Sequence, residues 1–141
     1  MSSLNFLDVN VWLALSWRRH AHAERARTWF QRAESEQFFF CRFTQLTYLR
    51  LLTTQAILGE DTHTMSSAWN MLEQIQHDER VSFLAEPNGI DREFQRRSKL
   101  PTRSPKVWAD AYLLAFAATA GLKLVTFDRA LKTKGVDVLI L

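Results

Sequence analysis

The chain holds one cysteine, Cys41, in 141 residues. No internal disulfide can form, which suits a reducing cytosol. No basic n-region precedes the first apolar stretch, so no secretion leader is expected. No apolar run reaches the ~18 residues that a membrane-spanning helix needs. The longest candidate, AYLLAFAATAGLKLV, is interrupted by Gly121 and Lys123. Repeats, low-complexity segments and long linkers are absent, and residues 1–141 are read as a single domain. What remains is ordinary for a globular chain: 47% hydrophobic and 23% charged residues. Net charge is +3 and the sequence pI is about 9.4. A modest positive excess suits a polyanionic partner such as nucleic acid, although many basic proteins bind none.

Periodicity predicts alternating strands and helices. Leu4–Leu7 reads as a short buried strand and Asn10–Trp17 as a helix. A second helix runs through RRHAHAERARTWFQRAE, with Ala23, Ala26, Trp29, Phe30 and Ala33 at helical spacing. FFFC (38–41) reads as a buried strand. A helix over TQLTYLRLLTTQAIL follows, with Thr44 as its N-cap and Gly59 at its end. Thr64 or Ser66 opens another. The third strand lies in 80–86, and a helix spans Asn88–Lys99. Ser104 and Pro105 read as the N-cap and first residue of a helix that Gly121 closes. Residues 122–127 form the fourth strand, a short helix follows Asp128, and VDVLIL forms the fifth. This alternation implies a three-layer α/β/α sandwich around a mostly parallel five-stranded sheet.

Ligands of such sheets bind beyond the carboxyl ends of the strands. Asp8 falls at that end of the first strand, and Asp128 at that end of the fourth. Asp110 lies early in a helix that is otherwise nearly all apolar. Each acid also has a plain structural reading. Asp8 and Asp128 can cap the helices that follow them, and Asp110 can pair with an arginine such as Arg103. Three carboxylates gathered at one rim repel each other unless a cation sits among them. Oxygen-only donors favour Mg²⁺ or Mn²⁺, and such a site can hold a phosphodiester and activate water.

The segments FLDVNVWLAL, TQLTYLRLLT and WADAYLLAFAATAGLKLVTFDRAL resemble the PIN domain, and in particular the VapC toxins of bacterial toxin–antitoxin pairs. DAYLLAFA followed by G-x-x-L-V-T-F-D is the most specific part, and HAHAERA with its following tryptophan resembles one VapC subgroup. The resemblance implies a Mg²⁺- or Mn²⁺-dependent endoribonuclease whose catalytic and metal-holding acids are Asp8, Asp110 and Asp128. It implies an RNA substrate, a small VapB-like antitoxin partner, a homodimer and a cytoplasmic location. It also implies a further glutamate in the helix after strand two. Thr47 stands there instead; it, or the adjacent Gln45 and Tyr48, can hold a water beside the metal.

Supporting roles are assigned to Asn10 and Thr126, which can orient the neighbouring acids, and to Arg50, which can meet an acid or a phosphate. Plain turn chemistry and a solvated helix face are the alternatives. His20 and His22 are two apart, a spacing that does not place them on one helix face; RRHAHAE reads as a loop or helix start, and metal ligation there is disfavoured. Arg92, Arg96, Arg97, Lys99, Arg103 and Lys106 can track an RNA backbone or simply face solvent. Stacking of bases on the tryptophans has no support in the sequence. The competing reading is a catalytically weak PIN module that binds RNA or an antitoxin without cutting, since Thr47 brings no charge. A haloacid-dehalogenase phosphatase needs a second acid where Asn10 stands, and a receiver domain needs paired acids near the first strand's end.

Overall fold

The computed structural model describes residues 3–141. In chain order these form β1 (Leu4–Leu7), α1 (Val9–Ser16), α2 (Ala23–Arg32), β2 (Gln37–Phe40), α3 (Arg42–Leu52), α4 (Gln55–Leu58), α5 (Met65–Gln76), β3 (Val81–Phe83), α6 (Ile90–Ser98), α7 (Lys106–Ala120), β4 (Lys123–Thr126) and β5 (Val138–Ile140). Two 3-10 turns, Gly59–Asp61 and Arg129–Leu131, complete the set. The five strands make one sheet in the order β3-β2-β1-β4-β5, and every pairing is parallel.

The short apolar strands are buried on both faces, as parallel strands are. Their alternation feeds two cores. Leu7, Phe38, Phe40 and Val125 point to one side, where α1, α2, α3 and α5 pack. Phe6, Phe39 and Leu124 point to the other, beneath α6 and α7. Trp12 stacks on Phe40 at 3.9 Å in the first core. Phe6 stacks on Phe116 at 4.5 Å in the second. Arg80 ties the start of β3 to the end of α2: it forks onto Asp78 and donates to the Phe30 and Ala33 carbonyls at 2.7 and 2.9 Å.

Several boundaries differ from the sequence expectation. The helix expected over 44–58 breaks in two, because the Thr53 and Thr54 hydroxyls bond back to the Leu49 and Arg50 carbonyls. Thr44 is not its N-cap. That place belongs to Cys41, and Thr44 sits three residues in, accepting the Cys41 N–H at 2.9 Å. Residues 18–22 are turns that lead into α2 at Ala23, the loop reading of RRHAHAE, closed by the His20 N–H on the Trp17 carbonyl and the Ala23 N–H on the His20 carbonyl. The helix expected from Asn88 starts at Ile90, after Gly89 takes a left-handed φ of 85°. Ser104 makes no side-chain cap on α7. Thr64 does cap α5, accepting from the Ser67 N–H.

Phe116 is fully buried in the second core. Phe116→Ala is expected to cost about 3–5 kcal/mol in equilibrium urea unfolding. A loss below about 1 kcal/mol would mean that the core collapses readily around the gap.

Candidate active site

Strand order sets the location. The chain leaves β1 towards β2 and β3, then returns to the other side of β1 through β4 and β5. The β1/β4 junction is therefore the switch point, the place beyond whose carboxyl ends ligands of such sheets bind. Asp8 follows β1, and its N–H donates to the Val125 carbonyl of β4 at 2.9 Å. Thr126 is the last residue of β4, with Asp128 two further on. Asp110 reaches the same rim from the second turn of α7.

Thr126 joins two of the acids. Its hydroxyl donates to Asp8 Oδ2 at 2.7 Å and accepts the Asp128 N–H at 3.0 Å. Both partners come from residues near it in the sheet, and its own side chain is fully buried. Asp8 is 7% exposed. Burial pushes its carboxyl above the ordinary range, against the Thr126 hydroxyl and the Val9 N–H, and the Asp110 and Asp128 charges push the same way. Burial also raises Asp110, followed by the Asp128 charge, while Lys106 opposes. The three carboxylates therefore feel one another. The cation facing them is Lys106, whose Nζ lies 3.6 Å from Asp128 Oδ2 on a side chain that is otherwise well exposed.

The helix-capping alternative separates the acids. Asp128 caps the 3-10 turn, accepting the Ala130 N–H at 2.9 Å. Asp8 stands at the N-cap position of α1 without a side-chain cap bond. Asp110 forms no ion pair with Arg103. Of the supporting residues, Thr126 meets the acids. Asn10 is exposed in the first turn of α1, beside Asp8. Thr47 and Arg50 are not joined to the acids. The Thr47 hydroxyl donates to the Phe43 carbonyl at 2.9 Å, and Arg50 is exposed on a groove with Leu46, Leu49, Met65 and Trp69. Gln45 accepts from Arg42. Tyr48 is fully buried and paired with Ser16 Oγ at 2.7 Å; burial pushes its hydroxyl up to about 12. Lys106 belonged to a basic set in the sequence, and its place among the acids had no signal beyond its spacing four residues before Asp110.

Oxygen donors, two carboxyls held above their ordinary range and a single opposing lysine suit a hard divalent cation. As the side chains lie, no three His, Cys, Asp or Glu residues among those described form a cage. The donor chemistry fits such an ion.

This is an α/β fold with aspartates at the carboxyl ends of its two central strands. The chain belongs to the PIN domain family, matched over residues 6–136, on its VapC branch. Ribonuclease VapC41 of Mycobacterium tuberculosis is 38% identical over 133 residues, covering 91% of each chain. Ribonuclease VapC44 of the same organism is 33% identical over 131 residues, covering 92% of this chain and 89% of the relative. Among solved structures, VapBC2 from Rickettsia felis bound to a promoter DNA fragment superposes with a TM-score of 0.64 at 7% identity, covering 98% of each chain. Mycobacterium tuberculosis VapC20, a sarcin-ricin loop cleaving toxin, gives a TM-score of 0.62 at 16% identity, covering 90% of this chain and 92% of that one.

A carboxylic acid whose proton is held more tightly in the folded chain than in the unfolded one binds more protons when folded. Stability then falls as pH rises from the ordinary carboxylate range through the raised values of Asp8 and Asp110, and the full cost is present above them. Asp8→Asn removes its part of that cost. In the presence of a chelator, the variant is expected to melt above wild type near neutral pH, with the gap closing in acid. A variant that melts lower at both ends would make the Asp8 charge structural.

Proposed function

We propose that this chain is the toxin of a type II toxin–antitoxin pair, a single PIN domain that cleaves RNA phosphodiester bonds in the cytoplasm with Mg²⁺ or Mn²⁺. The observation that supports it most is the mutual electrostatic coupling of Asp8, Asp110 and Asp128 at the switch point. It stands in a chain 38% identical to a protein named as a ribonuclease. Among the described residues, no helix is long and apolar enough to cross a membrane.

Asp8, Asp110 and Asp128 would hold the cation. When bound, it would supply charge neutralisation at the phosphate and a more acidic water. The rest of the work falls to the chain. Thr126 fixes the Asp8 carboxylate by its hydrogen bond, so the rim presents one rotamer. Lys106 balances charge beside Asp128. In the hydrolysis a water oxygen forms a bond to phosphorus, the bond to the leaving ribose oxygen breaks, and that oxygen takes up a proton.

Two surfaces support the partners. Phe43, Phe94, Trp108 and Tyr112 line an open apolar groove whose α7 residues flank Asp110. Trp108 is 60% exposed there, a place for an antitoxin segment. Leu46, Met65 and Trp69 are exposed along α3 and α5. This second apolar patch suits a homodimer.

A weak, non-cutting module remains the second reading, because Thr47 adds no carboxylate and spends its hydroxyl on the Phe43 carbonyl. One comparison decides between them. The purified chain is expected to cleave RNA when Mg²⁺ or Mn²⁺ is added, and Asp8→Asn to bring cleavage to background while staying folded. Equal cleavage by the variant would remove Asp8 from the site; no cleavage by folded wild type with either metal would favour the binding module. Expression of the chain alone is expected to slow bacterial growth, and co-expression of its antitoxin to restore it.

A further inference from the structure

We infer that His20, His22 and Phe127 form a stacking shelf for a single-stranded RNA base beside the three aspartates, a subsite that rests on the ribonuclease reading above. Phe127 lies between Thr126, whose hydroxyl bonds Asp8, and Asp128, so the residue that carries the shelf is joined directly to the segment that bears the acids. The His22 ring stacks on Phe127 at 4.5 Å and 24°. The His20 ring lies over it at 6.2 Å and 29°. Three rings from two distant segments are thus gathered where strands β4 and β5 end.

The loop that carries the histidines is held in place. Trp17 Nε1 donates to Asp61 Oδ2 at 2.8 Å, and Arg19 Nε approaches the same oxygen at 3.5 Å. The edge of Trp17 meets His20 at 6.0 Å. Within the loop, the His22 N–H donates to His20 Nδ1 at 3.0 Å, which requires that nitrogen to be unprotonated. Burial, followed by the neighbouring His22, lowers the His20 pKa in the same direction. The bond to Nδ1 fixes the His20 ring in its orientation within the loop. His22 is exposed. Its ring stacks on Phe127 and lies tilted against His20 at 5.8 Å, and its exposed side is the surface offered to a base.

Metal ligation is a poorer use of the pair. No three ligating side chains gather there among the described residues. The far flank of the shelf is basic instead: Arg25, Arg129 and Lys132 line an open cavity of ≈ 480 Å³ with Ile140 and Leu141. Arg25 and Lys132 are spent on the Leu141 and Val138 carbonyls. Arg129 is exposed, with no side-chain hydrogen bond or ion pair among the described residues, next to Asp128 in sequence. An aromatic face followed by a free guanidinium is the combination that binds a single strand, through base stacking and backbone charge.

The test uses the full chain carrying Asp8→Asn, so that no RNA is cut. Two fluorescein-labelled probes of equal length are titrated: a random-sequence single-stranded RNA and an abasic ribose-phosphate chain. Adding His22→Ala is expected to weaken RNA binding by about ten-fold or more, in line with the loss of one stacked base, and to leave the abasic probe unchanged. His22→Phe is expected to restore RNA binding, and Arg129→Gln to weaken both probes. Wild-type-like RNA binding by His22→Ala, equal losses on both probes, or failure of His22→Phe to rescue would each overturn the shelf. A His22→Ala effect confined to antitoxin binding would assign the rings to the protein partner and overturn it too. If the chain neither binds nor cuts any RNA, the ribonuclease reading itself fails; if it cuts RNA and His22→Ala changes nothing, only the shelf does.

Discussion

The hydrogen bond from Thr126 to Asp8 is the interaction on which the candidate site turns. It joins the ends of two adjacent parallel strands through a side chain that no solvent reaches. A hydroxyl can donate once and accept at the same time. Thr126 does both, giving its proton to Asp8 and taking the Asp128 N–H. One atom thus ties the Asp8 carboxylate on β1 to the backbone of Asp128 after β4. A rim built on a loop would not hold that geometry as tightly.

The cost of the arrangement is electrostatic. Asp8 is almost sealed from water and feels two other carboxylates, so the fold holds it in an environment that favours the proton. Lys106 relieves part of the strain, but its side chain is well exposed and its charge is screened. The two apolar cores on either side of the sheet support the rim, because they lock β1 and β4 in register independently of the acids.

The same rim extends sideways. The α1–α2 loop folds its histidines over Phe127, and α6 and α7 expose Trp108 on the opposite flank. The aspartates are thus accompanied by aromatic side chains from two separate parts of the chain.

Much of this was legible in the residues. Strand and helix order followed from alternating apolar runs, and the rim positions of Asp8 and Asp128 followed from strand ends, because a parallel sheet sends every strand's carboxyl end to the same side. The family likeness in the DAYLLAFA and LVTFD segments was equally local. Other features depended on packing that no local pattern encodes. The break at Thr53 and Thr54 arose because two hydroxyls competed for the carbonyls of the preceding turn. Cys41 displaced Thr44 as the cap of α3 through a bond that runs backwards along the chain. Tyr48 went to the core to meet Ser16, thirty-two positions earlier. Lys106 met Asp128 across a helix–strand junction, and His22 met Phe127 across more than a hundred residues. Sequence by itself determined the period of each element and the side of the sheet on which the acids fall, since both depend on nearest neighbours. Only the tertiary structure decided which side chains share a hydrogen bond or a ring face, since those contacts close loops that span much of the chain.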